Sequence, residues 1–132
     1  MAKKTTFKPK QVTKKILSPL RDRSLDIVKS RFGLGAESER KTLEAIGEKY
    51  GITRERVRQI EQAALTLIKK SDEFKSEKGT WEELKGIVHE LGGLVSESDL
   101  LESISKDEET QNHIHFYLVL GDEFVKHRED ED

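Results

Sequence analysis

The stretch Arg40–Lys70, RKTLEAIGEKYGITRERVRQIEQAALTLIKK, reads as two helices joined by a glycine turn. Leu43, Ile46, Gly47 and Tyr50 fall at spacings of three, four and seven, so they share one side of a short helix and leave Glu44, Glu48 and Lys49 to solvent. Gly51 can take a positive φ without steric cost, and Thr53 is placed to cap a second helix by accepting from a first-turn N–H. On that helix Val57, Ile60, Ala64, Leu67 and Ile68 form the packing stripe, and Arg54, Glu55, Arg58, Gln59 and Gln62 form the opposite one. Gly47 lies where the first helix must approach the second, so a larger side chain there would push the two axes apart.

The outward stripe has chemistry suited to a major groove. Arginine donates two hydrogen bonds to guanine, glutamine pairs with adenine, glutamate accepts from cytosine, and side chains near the helix N-terminus reach deepest. Arg54, Glu55, Arg58 and Glu61 also fit an ordinary solvated face whose charges pair four residues apart along the helix. Periodicity leaves both readings open.

The string TLEAIGEKYGITRERVRQIEQAAL closely resembles the helix-turn-helix of region four in the housekeeping, sigma-seventy type sigma factors of bacterial RNA polymerase, and LSPLRDRSLDIVKSRFGL resembles the part that precedes it. The likeness covers roughly Val12 to Lys70, and the ITRERVRQIE core is its most specific part. It implies a domain that reads the upstream, minus-thirty-five promoter element in double-stranded DNA and docks on the flap of the polymerase β subunit. Carried over by position, Arg54, Glu55, Arg58 and Gln59 would meet base edges, while Lys41, Thr42, Leu43 and Arg56 would hold the phosphate backbone. Ile27, Leu34 and their apolar neighbours would seat the flap helix, although in a small domain such residues also serve as plain core. The chain departs from the family at Ala63 and Thr66, where housekeeping factors carry basic residues. It also has no room for the family's other regions, so a complete, independently initiating sigma factor is not expected.

A chain of 132 residues, 33% apolar and 38% charged, fits small helical modules with thin cores and a heavily solvated surface. The absence of cysteine excludes disulfides and the cysteine-bearing zinc sites. No apolar run is long enough to cross a membrane, and MAKKTTFKPK lacks the apolar segment of a secretory signal, so a cytoplasmic protein is expected. The net charge of −2 hides a division: residues 1–72 carry 18 Lys and Arg against 9 Asp and Glu, and residues 73–132 carry 6 against 17. A basic front half suits a polyanion, since each cation that neutralises a phosphate releases counterions. The acidic half would be repelled by the same surface, and is expected to face away from DNA or to meet a basic protein partner.

Met1–Lys10 is polar and basic and reads as a flexible arm, either tracking phosphates or merely solubilising. Helical patterning starts at Gln11, with Val12, Ile16 and Leu17 before Pro19, then Leu25, Val28 and Phe32 before the Gly33–Gly35 stop. These elements close a domain over residues 11–72, since a lone helix-turn-helix has too little apolar area to stand alone. Residues 73–79 read as a linker. Beyond it, Thr80 with Glu83 fits a capping box, and Trp81, Leu84, Val88 and Leu91 form a helical stripe up to Gly92–Gly93. Ser96 or Ser98 caps a helix carrying Leu100, Leu101 and Ile104, and Asp107–Leu120 makes a third. Residues 80–132 are thus expected to form an acidic module, loosely similar to the winged helix-turn-helix of the polymerase delta subunit. Gly121–His127 would be a lone wing strand, ahead of an acidic tail. The third helix begins with Asp107, Glu108 and Glu109, which would face phosphates unfavourably in a reading position.

His113 and His115 point roughly 200° apart on a helix and cannot share a metal ion. There is no cysteine nucleophile, glycine-rich phosphate loop or evident carboxylate pair, so no enzyme activity, cofactor, metal or small-molecule substrate is expected. The expectation is an all-α chain in which a helix-turn-helix domain of about four helices precedes a small helical module. Its front half would bind promoter-like duplex DNA together with RNA polymerase. The competing reading is a polymerase-associated interaction module that keeps the region-four shape with little DNA affinity of its own.

Overall fold

The fold is known from a computed structural model that describes residues 7–35, 38–93 and 95–121. Among these the chain is all-α: α1 (Pro9–Leu17), α2 (Asp22–Phe32), α3 (Leu43–Tyr50), α4 (Arg54–Lys70), α5 (Asp72–Lys75), α6 (Lys78–Glu90), α7 (Glu97–Ile104) and α8 (Glu108–Leu120). The boundaries follow local chemistry. Pro9 occupies the first turn of α1, where its missing N–H has no intrahelical partner to lose. Gly33 and Gly51 end α2 and α3 at φ 67°, the left-handed conformation that glycine adopts freely. Thr42, Thr53, Ser71, Ser96 and Asp107 each cap a helix by accepting from the backbone N–H three residues on.

The centre of the fold is α8. From Asn112 to Leu120 every side chain is buried except half-buried His115, because α1, α2 and α7 pack around it. One apolar cluster joins Val12, Ile16, Leu17, Val28 and Phe32 to Trp81, Leu84, Leu100, Ile104, Phe116 and Tyr117. Rings hold this contact together: Phe32 meets Phe116 at 5.0 Å between centroids, and Trp81 meets Tyr117 at 5.6 Å. The Trp81 indole N–H donates to the Tyr117 carbonyl at 2.9 Å. Thr13 on α1 is hydrogen-bonded to both the Tyr117 hydroxyl and His113 Nδ1, at 2.5 and 2.6 Å, and the Tyr117 hydroxyl also donates to the Pro9 carbonyl. A smaller cluster of Ile27, Ile46 and Val57 holds α2, α3 and α4 together.

Several features differ from the sequence expectations. The arm expected to run to Lys10 lies outside the described residues only up to residue 6; Phe7 rests edge-on against Tyr117, and Pro9 already belongs to α1. The expected linker, 73–79, carries most of α5 and the start of α6, and the larger apolar cluster runs across it. Thr80 caps nothing: α6 starts earlier, and Thr80 is buried inside it. Leu67 and Leu91, both assigned to packing stripes, are 49% and 36% exposed. Each lies at the margin of its stripe, and Ile87 occupies the inward position on α6 instead. The third helix of the acidic module, whose acidic start argues against a reading position and for scaffolding, is α8, and from Asn112 onward it is buried among its neighbours because its apolar residues run all round it. The expected wing strand, Gly121–His127, and the acidic tail lie beyond Gly121 outside the described residues.

Candidate nucleic-acid interface

α3 and α4 meet across a turn whose geometry rests on two glycines. The Ile52 N–H donates to the Gly47 carbonyl at 2.9 Å, folding the chain back against the end of α3. A Cβ on Gly47 would lie 2.6 Å from the Ile52 carbonyl oxygen, so the close approach required at this position is to the turn itself and the entrance of α4. Thr53 then starts α4, its hydroxyl accepting from Arg56 N–H at 3.0 Å. Val57 is completely buried on the inner side, while Arg54, Glu55, Arg56 and Gln59 are exposed and Arg58 is partly so. Their side chains bond among themselves, Arg56 to Gln59 and Arg58 to Glu55.

Arg58 and Glu55 form a fork: Nε meets one carboxylate oxygen at 2.9 Å and a terminal nitrogen meets the other at 2.5 Å. The bonds from Arg58 hold the Glu55 carboxyl below its ordinary pKa, and the carboxylate in turn raises that of Arg58. The pair joins residues three apart rather than the four expected of a solvated face, and it presents a planar guanidinium in a fixed orientation. Glu61 differs from that face, since its side chain is 13% exposed and pairs with Arg31 of α2 at 3.3 Å.

Three of the four candidate backbone-holding residues, Lys41, Thr42 and Leu43, sit at the entrance of α3. Thr42 caps that helix by accepting from Ala45 N–H at 3.0 Å. Lys41 is held by its main chain, its N–H donating to the Ser30 carbonyl at 2.9 Å and its carbonyl accepting from Arg31 at 3.1 Å. The Lys41 ammonium pairs with Glu39 at 3.5 Å. The Leu43 side chain packs on the Ile27 cluster, which leaves its main chain as the part suited to a phosphate. Asp26 reaches across from α2 to accept from the Tyr50 hydroxyl and, at 3.1 Å, from Lys49. Chiefly through the Tyr50 bond, its carboxyl is kept below the usual range.

The structure thus gathers Lys41, Thr42 and Leu43 at the start of α3, and Arg54, Glu55, Arg56, Arg58 and Gln59 on the first turns of α4. Ile27 is fully buried and has no free surface, whereas Leu34 lines a cleft of about 440 Å³ with Leu17, Leu20 and Leu25. The braces Arg31, Glu61 and Asp26 escaped sequence reasoning, because nothing in a charge pattern shows which charges on different helices will meet. No group of three or more metal-ligating side chains occurs among the described residues, and His115 is paired with Glu97 at 2.9 Å.

A packed pair of short helices, a glycine turn between them and a polar, arginine-bearing face on the second define a helix-turn-helix. Residues 16–70 match the family described as Sigma-70, region 4, which supports a helix-turn-helix of the sigma-70 region 4 type over that segment. The chain is similar to the RNA polymerase sigma factor RpoD of Neisseria gonorrhoeae, with 39% identity over 69 residues, covering 50% of this chain and 11% of that protein. It is also similar to the RNA polymerase principal sigma factor HrdD of Streptomyces griseus, with 44% identity over 55 residues, covering 42% of this chain and 16% of that one. The chain therefore spans a small part of the length of these relatives. No described helix is long and apolar enough to cross a membrane.

Proposed function

We propose that the α3–α4 unit binds double-stranded DNA at a minus-thirty-five-type promoter element and acts with RNA polymerase in transcription initiation or its regulation. The observation that carries this reading is the exposure of Arg54, Glu55 and Gln59, with Arg58 beside them, on the first turns of a helix within the region-four segment. In this reading those four residues meet base edges, and Lys41, Thr42, the Leu43 main chain and Arg56 hold phosphates. The mechanism is binding and positioning, with no chemical step. α4, about 25 Å long at 1.5 Å per residue, enters the major groove by its N-terminal end, while α3 crosses the backbone.

The test is a titration of the full chain against a duplex carrying a minus-thirty-five-like element and against a scrambled duplex, each at two salt concentrations. Tighter binding to the element, falling steeply with salt, supports the reading. Equal, salt-insensitive or absent binding overturns it.

A second reading has its own observation. Ala63 and Thr66 are exposed yet uncharged, which removes two cations from the continuation of α4. In that reading the chain is a polymerase-associated module that keeps the region-four shape to occupy the β flap or bind a regulator, with little DNA affinity of its own. Co-purification with polymerase, without retention of duplex DNA, would favour it.

A further inference from the structure

We infer that Asn112, in the C-terminal half, is a positioning residue for the segment that enters α3, and so couples the acidic helices to the DNA-facing side. The inference rests on the DNA-binding reading above. Asn112 is 1% exposed, and both its amide nitrogen and its amide oxygen bond to one loop. Its amide nitrogen donates to the Gly33 carbonyl at 3.1 Å and the Ser38 carbonyl at 2.5 Å, and its oxygen accepts from Arg40 Nε at 2.7 Å. One buried side chain therefore ties down both the point where the loop leaves α2 and the point where it returns. The cradle is closed: a Cβ on Gly33 would lie 2.5 Å from the Ser38 oxygen and 2.6 Å from the Asn112 nitrogen.

The fixed point is one residue from the proposed phosphate contacts. Arg40 is followed by Lys41, whose N–H and carbonyl are bonded to Ser30 and Arg31, and then by Thr42, the cap of α3. The Asn112 bonds thus set where the Lys41–Leu43 main chain stands relative to α4. Asparagine meets the chemistry because it offers two donors and an acceptor in one plane. Aspartate would keep the bond from Arg40 and lose both donations.

The experiment uses the full chain and the two duplexes named above, with circular dichroism confirming the fold at the working temperature. Asn112→Ala and Asn112→Asp should weaken both duplexes by a similar factor, about three- to ten-fold, and flatten the salt dependence while the preference between duplexes stays. A purely structural role would lower the melting temperature and leave the salt slope of the folded protein unchanged. Arg40→Lys, on an exposed side chain, keeps the charge; weakened binding by this variant supports positioning, and unchanged binding would overturn it. Wild-type-like affinity and slope in all three variants would likewise sink the inference. If the wild type retains no duplex, the DNA-binding reading falls, and the placement is then read from the Arg40 Nε–H signal in NMR. Slow exchange there in the wild type, lost in Asn112→Ala, would uphold the loop anchor, and an unchanged signal would refute it.

Discussion

Glu55 and Arg58, three residues apart on α4, grip one another through both carboxylate oxygens and two guanidinium nitrogens, at 2.9 and 2.5 Å. Before any base is met the arginine is already aimed, which lowers the conformational freedom it must surrender on binding. Arg58→Ala should reduce the preference for the element over the scrambled duplex by about ten-fold or more. Arg56→Ala should weaken both duplexes with little change in their ratio. Equal losses on both duplexes for Arg58→Ala, in the same titration, would refute its base-reading assignment.

Gly47 and Gly51 are both needed in the turn for different reasons, and the two substitutions separate them. Alanine at Gly47 places a Cβ 2.6 Å from the Ile52 oxygen and should destabilise by about 1–3 kcal/mol. Alanine at Gly51 meets nothing within 4 Å but must hold φ 67°, a penalty of about 1–2 kcal/mol. Urea denaturation measures both. The Gly47 variant should also lose DNA affinity at temperatures where it stays folded, because only there is the entrance of α4 displaced.

Burial pushes the His113 imidazole below its ordinary pKa; Lys10 acts in the same direction, and Glu109 and Asp107 oppose it. In the unfolded chain this group takes up its proton near 6.5, so below that value the unfolded state binds more protons than the native one. Its contribution to stability is complete above about pH 6.5 and is lost as the pH falls through the lower native value. The denaturation midpoint of the wild type should drop between about pH 7.5 and about pH 5.5, and His113→Gln should flatten that slope. A wild-type slope matched by the variant would rule out this group as its source.

Because Tyr117 bonds to Thr13 and Pro9 from within a cluster shared by α1, α2, α6 and α8, the two halves should unfold together. Trp81 fluorescence and far-ultraviolet circular dichroism are expected to trace a single coincident urea transition. Tyr117→Phe should shift both probes equally, by about 1–3 kcal/mol, since the Pro9 carbonyl loses a donor and the Thr13 hydroxyl loses an acceptor. Two separated transitions would show independent halves.

The sequence made the region-four segment legible because its signals are local. The glycine conformation at Gly51, the Thr53 cap and the Val57 stripe are each settled by residues within one turn of themselves. The start of α7 was readable to within two residues, at Ser96 or Ser98, of which Ser96 is the cap, and α8 was expected to begin at Asp107, which caps it. What stayed hidden depends on partners far along the chain. Asn112 looks like any polar residue on an acidic helix, and only contact with Gly33, 79 positions away, gives it a role. Likewise, α8 lacks a one-sided stripe because it is covered from several directions, which single-helix patterning cannot distinguish from a weak helix. Of the candidate site, the exposed face was foreseeable from spacing, whereas Arg31, Glu61 and Asp26, which hold that face in place, were not.

The central position of α8 also bears on how the molecule can be divided. A fragment cut after residue 72 would keep every side chain proposed to touch DNA, yet would leave Ile16, Leu17 and Phe32 wetted where Phe116 and its neighbours had sheltered them. Such a piece should self-associate in light scattering, and its failure to bind a promoter would testify to a missing lid over oily helices rather than to a mute recognition surface.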